Sequence, residues 1–180
     1  MCFYERTINK KNIFNGKIIK LDIHDVLLDN GKTAEREIIT HPGGVAVIPI
    51  TDDGFIYFVK QFRKPYEEEV LEIPAGKLEH GEDPRSCGLR ELKEETGLTC
   101  EKVTFLTQMY PSPGYTDEKI HIYIAEGLQE GDYARDEDEF LNVCRYTLDE
   151  AYEMISTGII KDAKTIIAVL AVKLKLMQNN

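Results

Sequence analysis

The sequence predicts an α/β fold, a sandwich of helices on both faces of a mixed sheet, preceded by a small N-terminal antiparallel β unit. Three observations lead there. The 180 residues are 42% hydrophobic and 30% charged, the mixture of a globular protein long enough to bury about two thirds of its unfolded surface. From residue 45 on, strand-sized apolar runs are interspersed with segments of helical spacing. Before that point, turn residues cut the chain into short strand-like pieces.

Residues 4–40 read as short strands. Ile13 to Ile23 alternates loosely, and Asp25 to Leu28 continues it. Asp29-Asn30-Gly31 is a turn signal from which Thr33 to Thr40 returns as a hairpin partner. His41-Pro42-Gly43-Gly44 breaks the pattern, which divides the chain into a β unit at 1–44 and a main domain at 45–180. Val45 to Ile50 is a continuous apolar run, as expected of a strand covered on both faces. Thr51-Asp52-Asp53-Gly54 turns the chain, and Phe55 to Arg63 runs back as its partner. Glu69 to Ile73 is a further strand, stopped by Pro74.

A helix with clear ends follows. Asp83 is an N-cap and Pro84 suits the first helical position, because its missing N–H has no partner there anyway. Gly97 closes the helix as a left-handed cap. Gly88 inside it costs about 1 kcal/mol against Ala, which makes sense where a neighbour packs close. Val103 to Tyr110 and Lys119 to Glu126 read as strands around a Pro/Gly loop, and Gly127 to Glu139 as an acidic loop. Phe140 to Tyr146 is a strand, and Thr147-Leu148-Asp149-Glu150 is a capping box opening a helix that ends by Gly158. Asp162 caps a final helix through Met177, whose apolar face (Ile166, Ile167, Val169, Leu170, Leu174) is expected to pack on the sheet.

Composition narrows the function. Lys plus Arg is 22 against 32 Asp plus Glu, a net charge of −10. A phosphate backbone would repel such a chain, which argues against general nucleic-acid binding. An anionic substrate would require local Arg and Lys or a bound metal. Cys2, Cys87, Cys100 and Cys144 are scattered without a Cys-x-x-Cys pair, which fits reduced thiols and a cytoplasmic location. Met1 to Lys11 has no secretory apolar region, and six apolar residues at Val45–Ile50 are too few for a membrane span.

The segment that carries chemistry runs from Gly76 to Leu98. Glu91 and Glu95 are four residues apart and share a helix face, with Glu94 beside them. Two carboxylates about 6 Å apart repel by roughly 3 kcal/mol at an effective dielectric of 20, and by only a few tenths when fully solvated. A solvated acidic face therefore accounts for the spacing unless the site is dry, in which case a cation is required. Oxygen-only ligands favour Mg²⁺ or Mn²⁺ over zinc.

The segment fits Gly-x5-Glu-x7-Arg-Glu-U-x-Glu-Glu-x-Gly-U, U being aliphatic, at Gly76, Glu82, Arg90, Glu91, Leu92, Glu94, Glu95, Gly97 and Leu98. Seven fixed residues at about 1 in 10 each leave a chance match on the order of 10⁻⁵ in a chain of this length. The sequence resembles the Nudix hydrolases. Gln61-Phe62-Arg63, Glu72-Ile73-Pro74-Ala75-Gly76 and Pro111 to Glu118 extend the resemblance to the ADP-ribose pyrophosphatase branch, as do His41 to Val45 and Asp162-Ala163-Lys164-Thr165.

The resemblance implies a role for each matching residue. Glu91 and Glu95 would be metal ligands, with Glu94 a ligand or an organiser of water and the Ala75 carbonyl a further ligand. Gly76 and Gly97 would set backbone geometry, and Arg90 and Glu82 would pair with each other or with neighbouring carboxylates. A glutamate in the acidic loop would deprotonate the attacking water: Glu139 first, Glu137 second, against the plain alternative of a solvated loop. Arg63 would contact the diphosphate, or else form a surface ion pair with Glu67 or Glu68. Arg36 and Glu37 match the region lining the adenine pocket. Because the chain has no Trp, the base would stack on Arg36 or on a Tyr or Phe, unless the nucleobase preference differs. Pro113 marks the branch, and Tyr115 is a candidate ribose contact or simply an exposed loop residue. His80 is expected to face solvent, and Cys87, with no base nearby, to be no nucleophile.

The implied activity is Mg²⁺-dependent hydrolysis of ADP-ribose to AMP and ribose 5-phosphate by a homodimer whose N-terminal β unit completes the nucleoside pocket. Neither nucleic acid nor membrane is an expected partner. Another nucleoside diphosphate sugar such as GDP-mannose, or a dinucleotide, is the alternative substrate, and a non-catalytic nucleotide-binding regulator is a third reading.

Overall fold

The structure is a computed structural model that describes residues 3–131 and 140–178. The chain divides into two units, residues 1–43 with 110–119, and residues 44–109 with 120–180.

In the first unit, β1 (Arg6–Asn15), β2 (Lys20–Leu27) and β3 (Thr33–Thr40) form an antiparallel sheet in that order. The stretch Ile13 to Ile23 is not continuous. A tight turn, with the Gly16 N–H on the Ile19 carbonyl at 2.9 Å, splits it between β1 and β2. The hairpin at Asn30-Gly31 forms as expected, with Gly31 at φ 79°. Residues 110–119 join this unit through backbone bonds: the Ile39 N–H donates to the Tyr115 carbonyl at 2.7 Å and the Asp117 N–H to the Ile39 carbonyl at 3.1 Å. The His41 N–H donates to Asp117 Oδ1 at 2.9 Å.

In the second unit, β4 (Gly44–Pro49) lies between β7 (Ala75–Lys77) and β9 (Ile120–Glu130), and β8 (Leu98–Met109) closes the order β7-β4-β9-β8. A second sheet has the order β10-β5-β6, from Leu141–Thr147, Phe55–Arg63 and Glu68–Glu72. Both faces of β4 are buried, for the reason its apolar run suggested. Val47 packs with Leu92 of helix α1 (Pro84–Thr96), while Ala46 and Ile48 pack with Ala168, Val169 and Val172 of α3 (Ala163–Gln178). Side chains alternate across a strand, so the two helices cover opposite faces of this sheet. The same inner core takes Ile56 and Phe58 of β5 and Ala151 of α2 (Leu148–Ser156).

Local signals set most element ends. Asp83 caps α1 and the Thr147–Glu150 capping box opens α2. At Gly88, an added Cβ would lie 3.0 Å from Val47 Cγ2 and 3.2 Å from Val45 Cγ2, so the glycine lets α1 approach β4 closely. Three expectations change. Residues 127–130 belong to β9 rather than to the acidic loop, because Leu98 at the start of β8 pairs with Glu130. Leu174 is 59% exposed rather than packed, since the buried face of α3 is set by Thr165, Ala168, Val169 and Val172, and a residue two positions on from Val172 points away from that face. The short strand β7, which pairs with β4 at Ala46–Ala75, follows directly after Pro74 where no strand was expected.

Candidate active site

Helix α1 carries the acidic side chains, and its caps fix their orientation. Asp83 accepts from the Ser86 N–H at 3.0 Å, and Gly97 adopts φ 71° at the other end. Between them Glu91 and Glu95 are 7% and 3% exposed, so both carboxylates lie in a largely dry setting, where charges interact more strongly than in water. The helix lays this pair along β7. Glu95 Oε2 accepts from the Ala75 N–H at 2.9 Å. An added Cβ on Gly76 would fall 1.8 Å from Glu91 Oε1, so only glycine leaves room for that carboxylate.

Arg90 organises the opposite edge of the cluster. Its Nε and Nη2 donate to Glu82 at 3.1 and 3.2 Å, and its Nη1 to Glu91 at 2.9 Å and Glu94 at 2.8 Å. The guanidinium beside Glu82 pulls that carboxyl down to about 2. The same contact, with Glu91 and Glu94, raises the already high value of Arg90. One arginine thus ties the loop before α1 to two glutamates of the helix. Cys87, buried beneath it, is pushed up to about 12, chiefly by desolvation, and stays a thiol.

Arg63 at the end of β5 forms its ion pair with neither Glu67 nor Glu68, although Glu68 is its register partner on β6. Its Nε and Nη2 donate to the two oxygens of Glu72 at 2.6 and 2.8 Å. Glu72 is 3% exposed and also accepts from Lys164 Nζ. Burial pushes Glu72 up, but Arg63 and Lys164 together outweigh it and hold the carboxyl below its ordinary value. Arg63 is raised by this hydrogen bond and also feels the charge of Glu95.

The second unit therefore brings together Ala75, Gly76, Glu82, Arg90, Glu91, Glu94 and Glu95, with Arg63 within electrostatic range. Arg36, Glu37, Pro113 and Tyr115 belong to the first unit. There Arg36 forms a fork with Glu5 at 2.9 and 2.6 Å. Arg36 and Glu37 are consecutive on β3 and point to opposite faces, so one copy of the strand presents only one of them to a given pocket. Pro113 and Tyr115 are exposed. Glu137 and Glu139 lie outside the described residues. Sequence reasoning gave no role to Glu72 or Lys164. The available signal was a charged residue set inside the apolar run Val70-Leu71-Glu72-Ile73.

The sequence model of the NUDIX domain matches residues 40–168. The chain belongs to the Nudix family. Two curated relatives span nearly its whole length. One, 51% identical over 96% of this chain and 95% of its own length, is the methanol dehydrogenase activator of Bacillus methanolicus. The other, 50% identical over 95% of this chain and 94% of its own, is the ADP-ribose pyrophosphatase of Bacillus subtilis (strain 168). A solved structure titled as an ADP compounds hydrolase superposes with a TM-score of 0.86 at 24% identity, covering 98% of this chain and 96% of that one, and so shares its fold.

Nudix enzymes work with a divalent metal, and the residues present fit one. The donors are carboxylate oxygens, pressed against the Ala75–Gly76 backbone with no room for a side chain between. Among the described residues no three carboxylate, thiol or imidazole groups form a ready-made cage. A hard cation such as Mg²⁺ does not need one, since it keeps waters and substrate phosphate oxygens among its ligands. Among the described residues no helix is long and apolar enough to cross a membrane.

Proposed function

We propose that this Nudix chain hydrolyses the diphosphate bond of ADP-ribose, giving AMP and ribose 5-phosphate, with Mg²⁺ as its metal and Mn²⁺ as a substitute. The observation that carries this is the buried Glu91–Glu95 pair laid on Gly76, in a chain half identical to an ADP-ribose pyrophosphatase.

Glu91 and Glu95, with the Ala75 carbonyl, would hold the metal, and Glu94 would hold it or orient a water. When bound, the metal offsets charge developing on the phosphoryl oxygens and lowers the pKa of attached water. Arg63 would take a phosphate oxygen. Its Nε–Nη2 edge is bound to Glu72, which leaves the Nη1 side to face substrate. Glu139, or Glu137, would accept the proton of the attacking water. Arg90 and Glu82 would keep the loop and helix in register, and Gly97 would end the helix. The β unit at 1–44, with Arg36, Glu37, Pro113 and Tyr115, would supply the nucleoside pocket within a homodimer. Support for the dimer is that every residue of β1 is exposed, among them Ile8, Ile13 and Phe14.

The test is release of nucleoside monophosphate by purified protein: AMP from ADP-ribose or an adenine dinucleotide, and GMP from GDP-mannose. ADP-ribose should give the highest kcat/KM and chelation should stop turnover. E95Q should lower kcat by about a hundredfold or more, and E139Q should lower it more than E137Q does. Turnover of GDP-mannose at an equal rate would overturn the substrate, and metal-dependent turnover surviving E95Q would overturn the ligand set.

A second reading, activation of an alcohol-oxidising dehydrogenase, is favoured by the 51% identity to the methanol dehydrogenase activator. Stimulation of such a dehydrogenase that persists in E95Q would support a role separate from hydrolysis.

A further inference from the structure

The final helix begins with a polar cluster for which hydrolysis, as set out above, has no use. Asp162 Oδ2 accepts from the Thr165 N–H at 2.9 Å and from its hydroxyl at 2.6 Å, capping α3. The other oxygen, Oδ1, accepts from Lys164 Nζ at 3.0 Å. Lys164 is 9% exposed and Thr165 is fully buried. From this cluster two links cross to the strand end that leads into the glutamate site. Lys164 Nζ donates to Glu72 Oε2, and the Ile73 N–H donates to Thr165 Oγ1 at 2.8 Å. Two residues further on, the Ala75 N–H binds Glu95.

A buried ammonium ion needs compensation, and an apolar side chain of similar size would fill this space at lower desolvation cost. Retaining a charge here fits a demand for orientation. The two oxygens of Glu72 receive three donors, two from Arg63 and one from Lys164. Lys164 and the backbone link fix Glu72 from behind, and Glu72 fixes the plane of the guanidinium. Arg63, with a side chain 40% exposed, keeps its Nη1 edge turned away from that contact. A guanidinium locked along one edge and open along the other is set up to receive a phosphate oxygen without losing rotamer freedom on binding.

We infer that Lys164, anchored by Asp162, is a positioning residue that acts through Glu72 to hold Arg63 ready for the substrate diphosphate. The inference rests on Arg63 contacting the diphosphate, as proposed above.

A double-mutant cycle with R63A, K164M and the double variant tests it, read as the Kd for non-hydrolysable α,β-methylene ADP-ribose by calorimetry and as KM and kcat on ADP-ribose with Mg²⁺. R63A should raise Kd and KM about tenfold, the loss of one charge-assisted contact. K164M should raise both roughly threefold with kcat little changed, and should add nothing in the R63A background. K164R should recover most of the loss. Should K164M fail to fold, as monitored by thermal melting, K164Q keeps a donor toward Glu72 and takes its place in the cycle. A K164M effect that multiplies in full with R63A, or no K164M effect beside a clear R63A effect, overturns the positioning role alone. An R63A variant with unchanged Kd overturns the diphosphate contact and the positioning role with it.

Discussion

At the scale of single residues, Gly76 and Glu82 decide whether the acidic cluster holds its shape. A Cβ at position 76 would sit 1.8 Å from Glu91 Oε1, so G76A must displace either the carboxylate or β7. A shift of about 1 Å at a reacting centre costs on the order of a hundredfold in rate. G76A should therefore lose about that much kcat while its far-UV circular dichroism stays unchanged, and retained activity would show that the carboxylate position is not critical. Glu82 offers a pH test. Its folded value of about 2 lies below the ordinary 4.5, so the Arg90 tie contributes fully above pH 4.5 and fades as pH falls from 4.5 toward 2. Thermal melts of the parent and E82Q should differ most near neutral pH and converge by about pH 2; a gap constant across that range would contradict the tie.

At the scale of elements, helix α1 packs through a small residue. Gly88 already faces Val45 and Val47 at 3.2 and 3.0 Å from where its Cβ would be. G88L would force the helix off β4 at a cost of about 1–3 kcal/mol, measurable as a lower urea midpoint with an unchanged slope, accompanied by loss of activity because the glutamates ride on the same helix. This helix was the most legible part of the sequence, because its determinants are local: Asp83, Pro84 and Gly97 fix its ends and the glutamate spacing fixes its face. Strand ends were less legible. Residues 127–130 look like loop by composition, yet they are strand because β8 begins at Leu98 and offers them partners. The same limit hid the partner of Arg63. Nothing local joins Glu72 to Lys164, which lie 92 residues apart in sequence and meet only when α3 folds onto the sheet. The acidic residues nearest to Arg63 in sequence, Glu67 and Glu68, form their ion pairs with Lys64 and Lys161 instead.

At the scale of the whole molecule, the chain leaves the first unit at Gly44, returns to it for residues 110–119 and leaves again. Its boundary is therefore not one point in sequence, and the expectation of a single break after residue 44 omits the returning loop. The homodimer proposal belongs at this scale. Light scattering should give a mass of twice 20.6 kDa, and replacing Ile13 and Phe14, 45% and 53% exposed on β1, with lysine should halve it. A parent protein that elutes as a monomer would refute the proposed dimer.

The parallel pairing of β4 with β9 has a consequence for how the chain is made. Gly44 to Pro49 pair with Ile120 to Ala125, and parallel strands cannot be joined by a tight turn. A ribosome that has released the chain only as far as Met109 has already delivered the glutamate helix and β7. One flank of the strand beneath them still lacks its neighbour, and such long-range pairings form late. The sheet on which the glutamate helix packs is thus completed only after β9 has been made, although the helix and β7 precede it in the chain.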